Sequence, residues 1–149
     1  MIRQLLVAVA LFTIATSGIA FAGSIDKAQN IFAQYGTREA AFDSAVADLY
    51  SDTALIKNKR TYPTGQVREA TFPAVQYKFL IRNAMPLAKA KGDYSTYSNV
   101  TFSEEGRNVR VNAMRYSVLK KYSSPISLLI GPNEQGQWLI LEELGESQP

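Results

Sequence analysis

Arg115 is the residue of this chain best placed to do chemistry. It continues the alternating series Val109, Val111, Ala113, Arg115, Ser117, which puts its guanidinium on the more apolar face of a strand. A guanidinium withdrawn from water requires an acidic partner or an anionic ligand. Glu142 follows Trp138 and Ile140 on one face of a later strand and is one such partner. The functional outcome is an anchor for a carboxylate or another anion. The commoner outcome is a structural ion pair or an arginine at the rim of the fold.

Tyr50, Tyr62, Tyr77 and Tyr116 are candidates for a pocket or an interface. A buried phenol orients a ligand through one hydrogen bond while its ring packs. It can also donate to a developing enolate. Asp52 stands at a helix-to-strand corner. A general base there would need burial to raise its pKa, whereas an aspartate in a corner more often bonds nearby backbone N–H groups. Tyr50, Tyr77, Arg115, Trp138 and Glu142 therefore form the candidate ligand-binding set, and Asp52 with Tyr77 the candidate acid–base pair. Lys57, Lys59 and Arg60 form one basic cluster and Lys120-Lys121 another. They suit anionic lipid headgroups or polysaccharide, although such clusters are more often solvated strand ends. Glu104-Glu105 falls in a turn and Glu142-Glu143 alternates faces, so neither makes a close carboxylate pair.

The chain has no histidine and no cysteine among its 149 residues. Histidine triads, zinc sites with nitrogen or sulfur ligands, thiolate chemistry and disulfides are excluded at once. No metal site and no cofactor are expected: there is no dinucleotide glycine fingerprint, no phosphate loop and no G-x-S-x-G. Sixteen Lys and Arg against thirteen Asp and Glu give a net charge of +3, too mild to argue for nucleic acid.

Met1-Ile2-Arg3-Gln4 is a short basic start, and Leu5 to Ala15 is almost wholly apolar. Ala20-Phe21-Ala22 fits the small-x-small pattern of a signal peptidase site. Residues 1–22 are read as a cleavable leader, cut after Ala22, which makes the chain exported, periplasmic or secreted. The alternative is an uncleaved anchor, but Leu5–Ala22 is only just long enough to span a bilayer and is polar towards its end. No stable membrane anchor is expected after cleavage.

The remaining residues, 23–149, read as a single domain. Ala28, Ile31, Phe32 and Tyr35 make a helical stripe, and Phe42, Ala45, Val46 and Leu49 repeat the spacing after Gly36-Thr37. Two short helices, or one kinked helix, are expected over 25–50. A strand follows over 53–60, then a turn at Pro63-Thr64-Gly65 and a short return over 66–69. Pro73 suits a helix start, and Tyr77, Leu80, Ile81, Ala84, Leu87 and Ala88 are its expected buried face. Four strands follow, about 95–103, 108–120, 124–130 and 137–144, joined by short links that imply antiparallel hairpins. Helices first and strands later is the order of an α+β domain with helices on one face of a sheet.

Both faces of the late strands are partly apolar. A sheet covered by helices on one side should show a polar opposite face, so something is expected to cover it. Met114, Tyr116, Val118, Leu129, Leu139 and Leu141 are the expected interface of a homodimer.

The mature chain also resembles the nuclear transport factor 2-like superfamily, which includes polyketide cyclases and ketosteroid isomerases. The resemblance lies in Leu49-Tyr50-Ser51-Asp52-Thr53-Ala54-Leu55-Ile56, the Pro63-Thr64-Gly65 turn before a further helix, the strand Val109–Tyr116, and Gly136-Gln137-Trp138-Leu139-Ile140. It implies a cone-shaped, cystatin-like roll: N-terminal helices packed in the concave face of a curved antiparallel sheet, enclosing a pocket, with frequent dimers through the outer face. No catalytic residue is carried over, because the enzymes of that group use Asp, His or Tyr and no single Asp here aligns. The resulting expectation is an exported protein binding a small apolar or amphipathic molecule, with Arg115 or a tyrosine fixing its polar end. A cofactor-free isomerase, dehydratase or cyclase and a protein-interaction module with a filled core are the alternatives.

Overall fold

The computed structural model describes residues 22–149, so the leader lies outside the described residues apart from Ala22. Helix α1 spans Ser24–Ala40. The Gly23 N–H donates to Asp26 Oδ2 at 3.3 Å, and Asp26 lies in the first turn, where negative charge complements the helix dipole. The expected break at Gly36-Thr37 does not occur. A side chain on Gly36 would stand 3.8 Å from the Tyr97 ring, and that packing overrides the weak helix propensity of glycine. The helix stops instead at Phe42, whose φ of 56° turns the chain. Asp43 then caps a 3-10 helix, Ser44–Leu49, by accepting the Ala45 N–H at 2.9 Å.

The strands are β1 (Tyr50–Thr61), β2 (Val67–Pro73), β3 (Ser95–Glu105), β4 (Asn108–Ser117), β5 (Tyr122–Pro132) and β6 (Trp138–Ser147); α2 (Ala74–Lys91) joins β2 to β3. Gly92, at φ 65°, ends α2, and the Asp93 N–H closes back on the Ala88 carbonyl at 2.9 Å. The six strands form one sheet in the order β2-β1-β6-β5-β4-β3. The expected α+β layering holds, with one refinement: the sheet is mixed, because β1 runs parallel to β6 while every other pair is antiparallel. Those two strands lie at opposite ends of the domain sequence, so no hairpin constrains their direction.

The alternation read in β4 is the one observed. Val109, Val111 and Ala113 turn inward and are buried, and Ile126, Leu128 and Ile130 of β5 do so beside them. Ile56 and Ile140 join them, each contributing about 1.5–3 kcal/mol by burial. Helix α1 packs on β3 and reaches β4 to β6, whereas α2 packs on β1, β2 and the 3-10 helix. Two expectations fail at the edges of this core. In α2, Tyr77, Ile81 and Met85 face the core, but Leu80 and Leu87 are 50% and 58% exposed. That helix meets one side of the sheet only, so a narrow stripe suffices. Val118 is also not in a strand: it lies in the turn after β4, its N–H bonded to the Tyr94 carbonyl.

Candidate functional site

The buried carboxylate of this domain is Glu143, not Glu142. Ile140 pairs with Ile130 and Glu142 with Leu129, which leaves Leu141 as an extra residue in β6. This β-bulge reverses the alternation, so Glu143 and Gly145 turn inward after Ile140. Glu142 lands on the outer face, where Arg110 Nη1 holds it at 2.5 Å and also binds Ser127, while Arg110 Nε reaches Glu105 at 3.1 Å. Burial works against the Arg110 charge, but the hydrogen bonds to Glu105 and Glu142 more than offset it and raise its pKa.

Glu143 is 4% exposed and accepts two phenolic hydrogen bonds. Tyr50, the first residue of β1, donates to one oxygen. Tyr77, one turn into α2, donates to the other at 2.9 Å. Burial raises the pKa of both phenols well above the ordinary value, and the neighbouring Glu143 charge adds to this. Both therefore stay protonated donors across the physiological range.

Arg115 does turn inward. Its Nη2 donates to the Glu146 carbonyl at 3.0 Å, and it forms no salt bridge among the described residues. Burial disfavours its charge, but the fields of Tyr35 and Glu143 outweigh that and raise its pKa. Its expected partner, Glu142, is on the other side of the sheet. The inward group beside it is Gly145. A side chain there would meet Asn58 Oδ1 at 3.6 Å, Arg115 Nη2 at 3.8 Å and Glu143 Oε1 at 4.0 Å. Asn58 Nδ2 donates to Ser147 Oγ at 2.9 Å, which leaves the amide oxygen turned towards Gly145. Two acceptors and one cationic donor thus converge above a bare backbone position.

A second carboxylate lies across the interior. Glu39, near the end of α1, accepts from the Tyr97 hydroxyl. Burial raises its pKa, although hydrogen bonds from Tyr97 and Ser95 pull the other way. Aromatic rings join the two carboxylates. Phe72, Tyr77, Tyr50, Tyr35, Tyr97 and Phe32 contact one another in turn, with centroids 5.5–6.4 Å apart. This line runs from α2 to α1 beneath both helices. The interior is therefore much more polar than the mostly apolar pocket expected.

The other candidates lie elsewhere. Asp52 is exposed and bound by Lys78 Nζ at 2.6 Å. The Lys78 hydrogen bond and charge lower its pKa, opposite to what a general base requires. Trp138 is half-buried against the core, with Lys27 Nζ 5.5 Å from its ring centre. Met114 lines a groove of about 600 Å³ on the outer face together with Lys57, Pro125 and Leu144, and Tyr116 is exposed outside it. Leu139 and Leu141 line a separate depression of about 530 Å³ with Asp48, Asp52 and Lys78. Leu129 pairs with Arg110 and Glu142 in the strip between them. The expected continuous apolar face is thus divided by an ion cluster. Sequence reasoning missed Glu143, Asn58, Tyr35, Glu39 and Tyr97. The one local signal was the spacing of Tyr35 and Glu39, four residues apart on a helix.

No protein-family profile matches the sequence, and no curated protein matches it. Solved structures do match in fold. An NTF2-like protein of unknown function from Pseudomonas putida superposes with a TM-score of 0.64 at 9% identity, over 81% of this chain and 84% of that one. Another, from Shewanella oneidensis, gives 0.60 at 10% identity, over 83% and 98%. An NTF2-like protein with a cystatin-like fold from Novosphingobium aromaticivorans gives 0.54 at 14% identity, over 83% and 80%.

Proposed function

Because this chain has the nuclear transport factor 2-like, cystatin-like fold, we propose that it is an exported protein that binds a small amphipathic molecule inside the cone. The observation that carries this is the convergence of Asn58 Oδ1, Arg115 Nη2 and Glu143 Oε1 on Gly145. Arg115 takes an oxygen of the ligand, Asn58 and Glu143 take an N–H or O–H, and the apolar body lies against Tyr77, Phe72 and Ile81. The fixed phenols serve recognition, since they hold Glu143 in place. Catalysis by Glu143 is the weaker reading. Both its oxygens are already engaged by phenolic hydroxyls, so a substrate proton would have to compete with them for the carboxylate.

Export rests on the basic-apolar start and the Ala20-Phe21-Ala22 site. A homodimer belongs to the same proposal. The outer groove has an apolar floor of Met114, Pro125 and Leu144, and Leu144 is 39% exposed.

Native mass spectrometry of the protein recovered from its own compartment tests the whole proposal. The polypeptide mass should begin at Gly23 and carry a small molecule. Gly145→Ala should lose that molecule without losing the fold, because its new methyl group would touch neighbours only at ordinary contact distances. A molecule retained unchanged by Gly145→Ala and by Arg115→Gln would place binding elsewhere.

A further inference from the structure

We propose that Arg60 and Arg68, next to the turn of the β1–β2 hairpin, form a binding site for a phosphate group. The two arginines are directly opposite in the β1–β2 ladder. Like charges in that relation repel, and the register gives them no way to separate. Tyr62, in the turn beyond, lies close to both: the guanidinium carbons of Arg60 and Arg68 are 5.8 Å and 5.4 Å from its ring centre. The ring attracts both cations and so holds both guanidinium groups beside it.

Nothing acidic neutralises this pair. Among the described residues, neither arginine has a carboxylate within salt-bridge distance. In β6 the partner of Arg60 is Ser147, and the adjacent Glu146 pairs instead with Lys59, 3.8 Å from its Nζ. Arg60 Nη2 reaches only the Gln148 carbonyl, at 3.5 Å, and Arg60 Nε is buried with no acceptor. A buried N–H without an acceptor costs free energy, so the Arg60 guanidinium is incompletely satisfied by the chain itself. Two guanidinium groups carried by a cross-strand pair match a dianion, and the tetrahedral oxygens of phosphate can be shared between two planar forks. Alternation puts Lys57 and Lys59 on the opposite side of β1, outside the site. The ligand class is therefore a phosphate monoester or free phosphate rather than a singly charged carboxylate.

The test is titration of the full mature chain with inorganic phosphate at pH 8 and low ionic strength, followed by calorimetry and by phosphorus NMR. Arg60→Gln and Arg68→Gln should each raise the phosphate Kd about tenfold or more, the loss of one charge-assisted contact. Lys57→Gln, equal in charge change but on the other face, should leave it within about twofold. In phosphate-free buffer Arg68→Gln should raise Tm, because it relieves the opposed charges. A parallel arm uses phosphatidic acid vesicles against phosphatidylcholine vesicles. Binding of phosphatidic acid with the same arginine dependence assigns a lipid headgroup as the source, and binding of inorganic phosphate alone assigns a soluble one. No binding in either arm overturns the proposal, and so does an equal loss in Lys57→Gln, which would mean diffuse attraction to a basic hairpin.

Discussion

The hydroxyl of Tyr50, at the start of β1, bonds to the carboxylate of Glu143 in the parallel strand β6, 93 residues later in the chain. Tyr77 completes the pair from α2. The site is therefore assembled from three elements that meet only in the folded state. Replacing Glu143 with Ala would strand two phenolic donors, one of them fully buried. The expected loss is about 2–4 kcal/mol in urea denaturation at pH 7. Tyr50→Phe should cost more than Tyr77→Phe, since Tyr50 is 2% exposed and Tyr77 half-buried. Equal and negligible losses in all three variants would show that the network does not stabilise the cone.

Glu39 makes stability depend on pH in the less common direction for an acid. Burial raises its folded pKa above the unfolded value of about 4.3. Below that unfolded value the group is protonated in both states and costs nothing. As pH rises from there to the folded pKa, the unfolded chain ionises first and stability is lost. Glu39→Gln keeps an oxygen for the Tyr97 hydroxyl but cannot ionise. Its Tm should equal that of the parent near pH 4 and exceed it by a margin that grows until pH passes the folded pKa of Glu39 and is constant above it. A constant difference across pH 4–8 would contradict this.

Asp52 should be dispensable. It is exposed, and its one salt-bridge partner among the described residues is Lys78. Exposed pairs of this kind contribute little. Asp52→Asn should leave both ligand retention in native mass spectrometry and Tm essentially unchanged. A large loss of ligand would restore it as a site residue.

The outer face should carry the dimer. Leu144→Lys and Met114→Lys each put a charge on the apolar floor of the outer groove. Light scattering after size exclusion should show a dimer for the parent chain and monomers for both variants, with unchanged circular dichroism. A parent chain that is monomeric at every concentration tested would remove the dimer from the proposed function.

Features that depend on local period can be read directly along the chain. Alternation marked the inward face of β4, including the inward turn of Arg115, and the i, i+3, i+4 stripe marked Ala28, Ile31, Phe32 and Tyr35 as the buried side of α1. The order of helices and strands fixed the layered architecture. Tertiary structure decided the rest, for identifiable reasons. One extra residue, Leu141, reversed the parity of β6 and exchanged Glu142 for Glu143; no local pattern marks a bulge, because the strand reads as apolar on both faces. Helix α2 buried Ile81 rather than Leu80 because it meets one side of the sheet only. Tyr50, Tyr77 and Glu143, like Glu39 and Tyr97, come together through strand pairing and helix docking across long stretches of chain, and spacing in sequence carries no record of such distances.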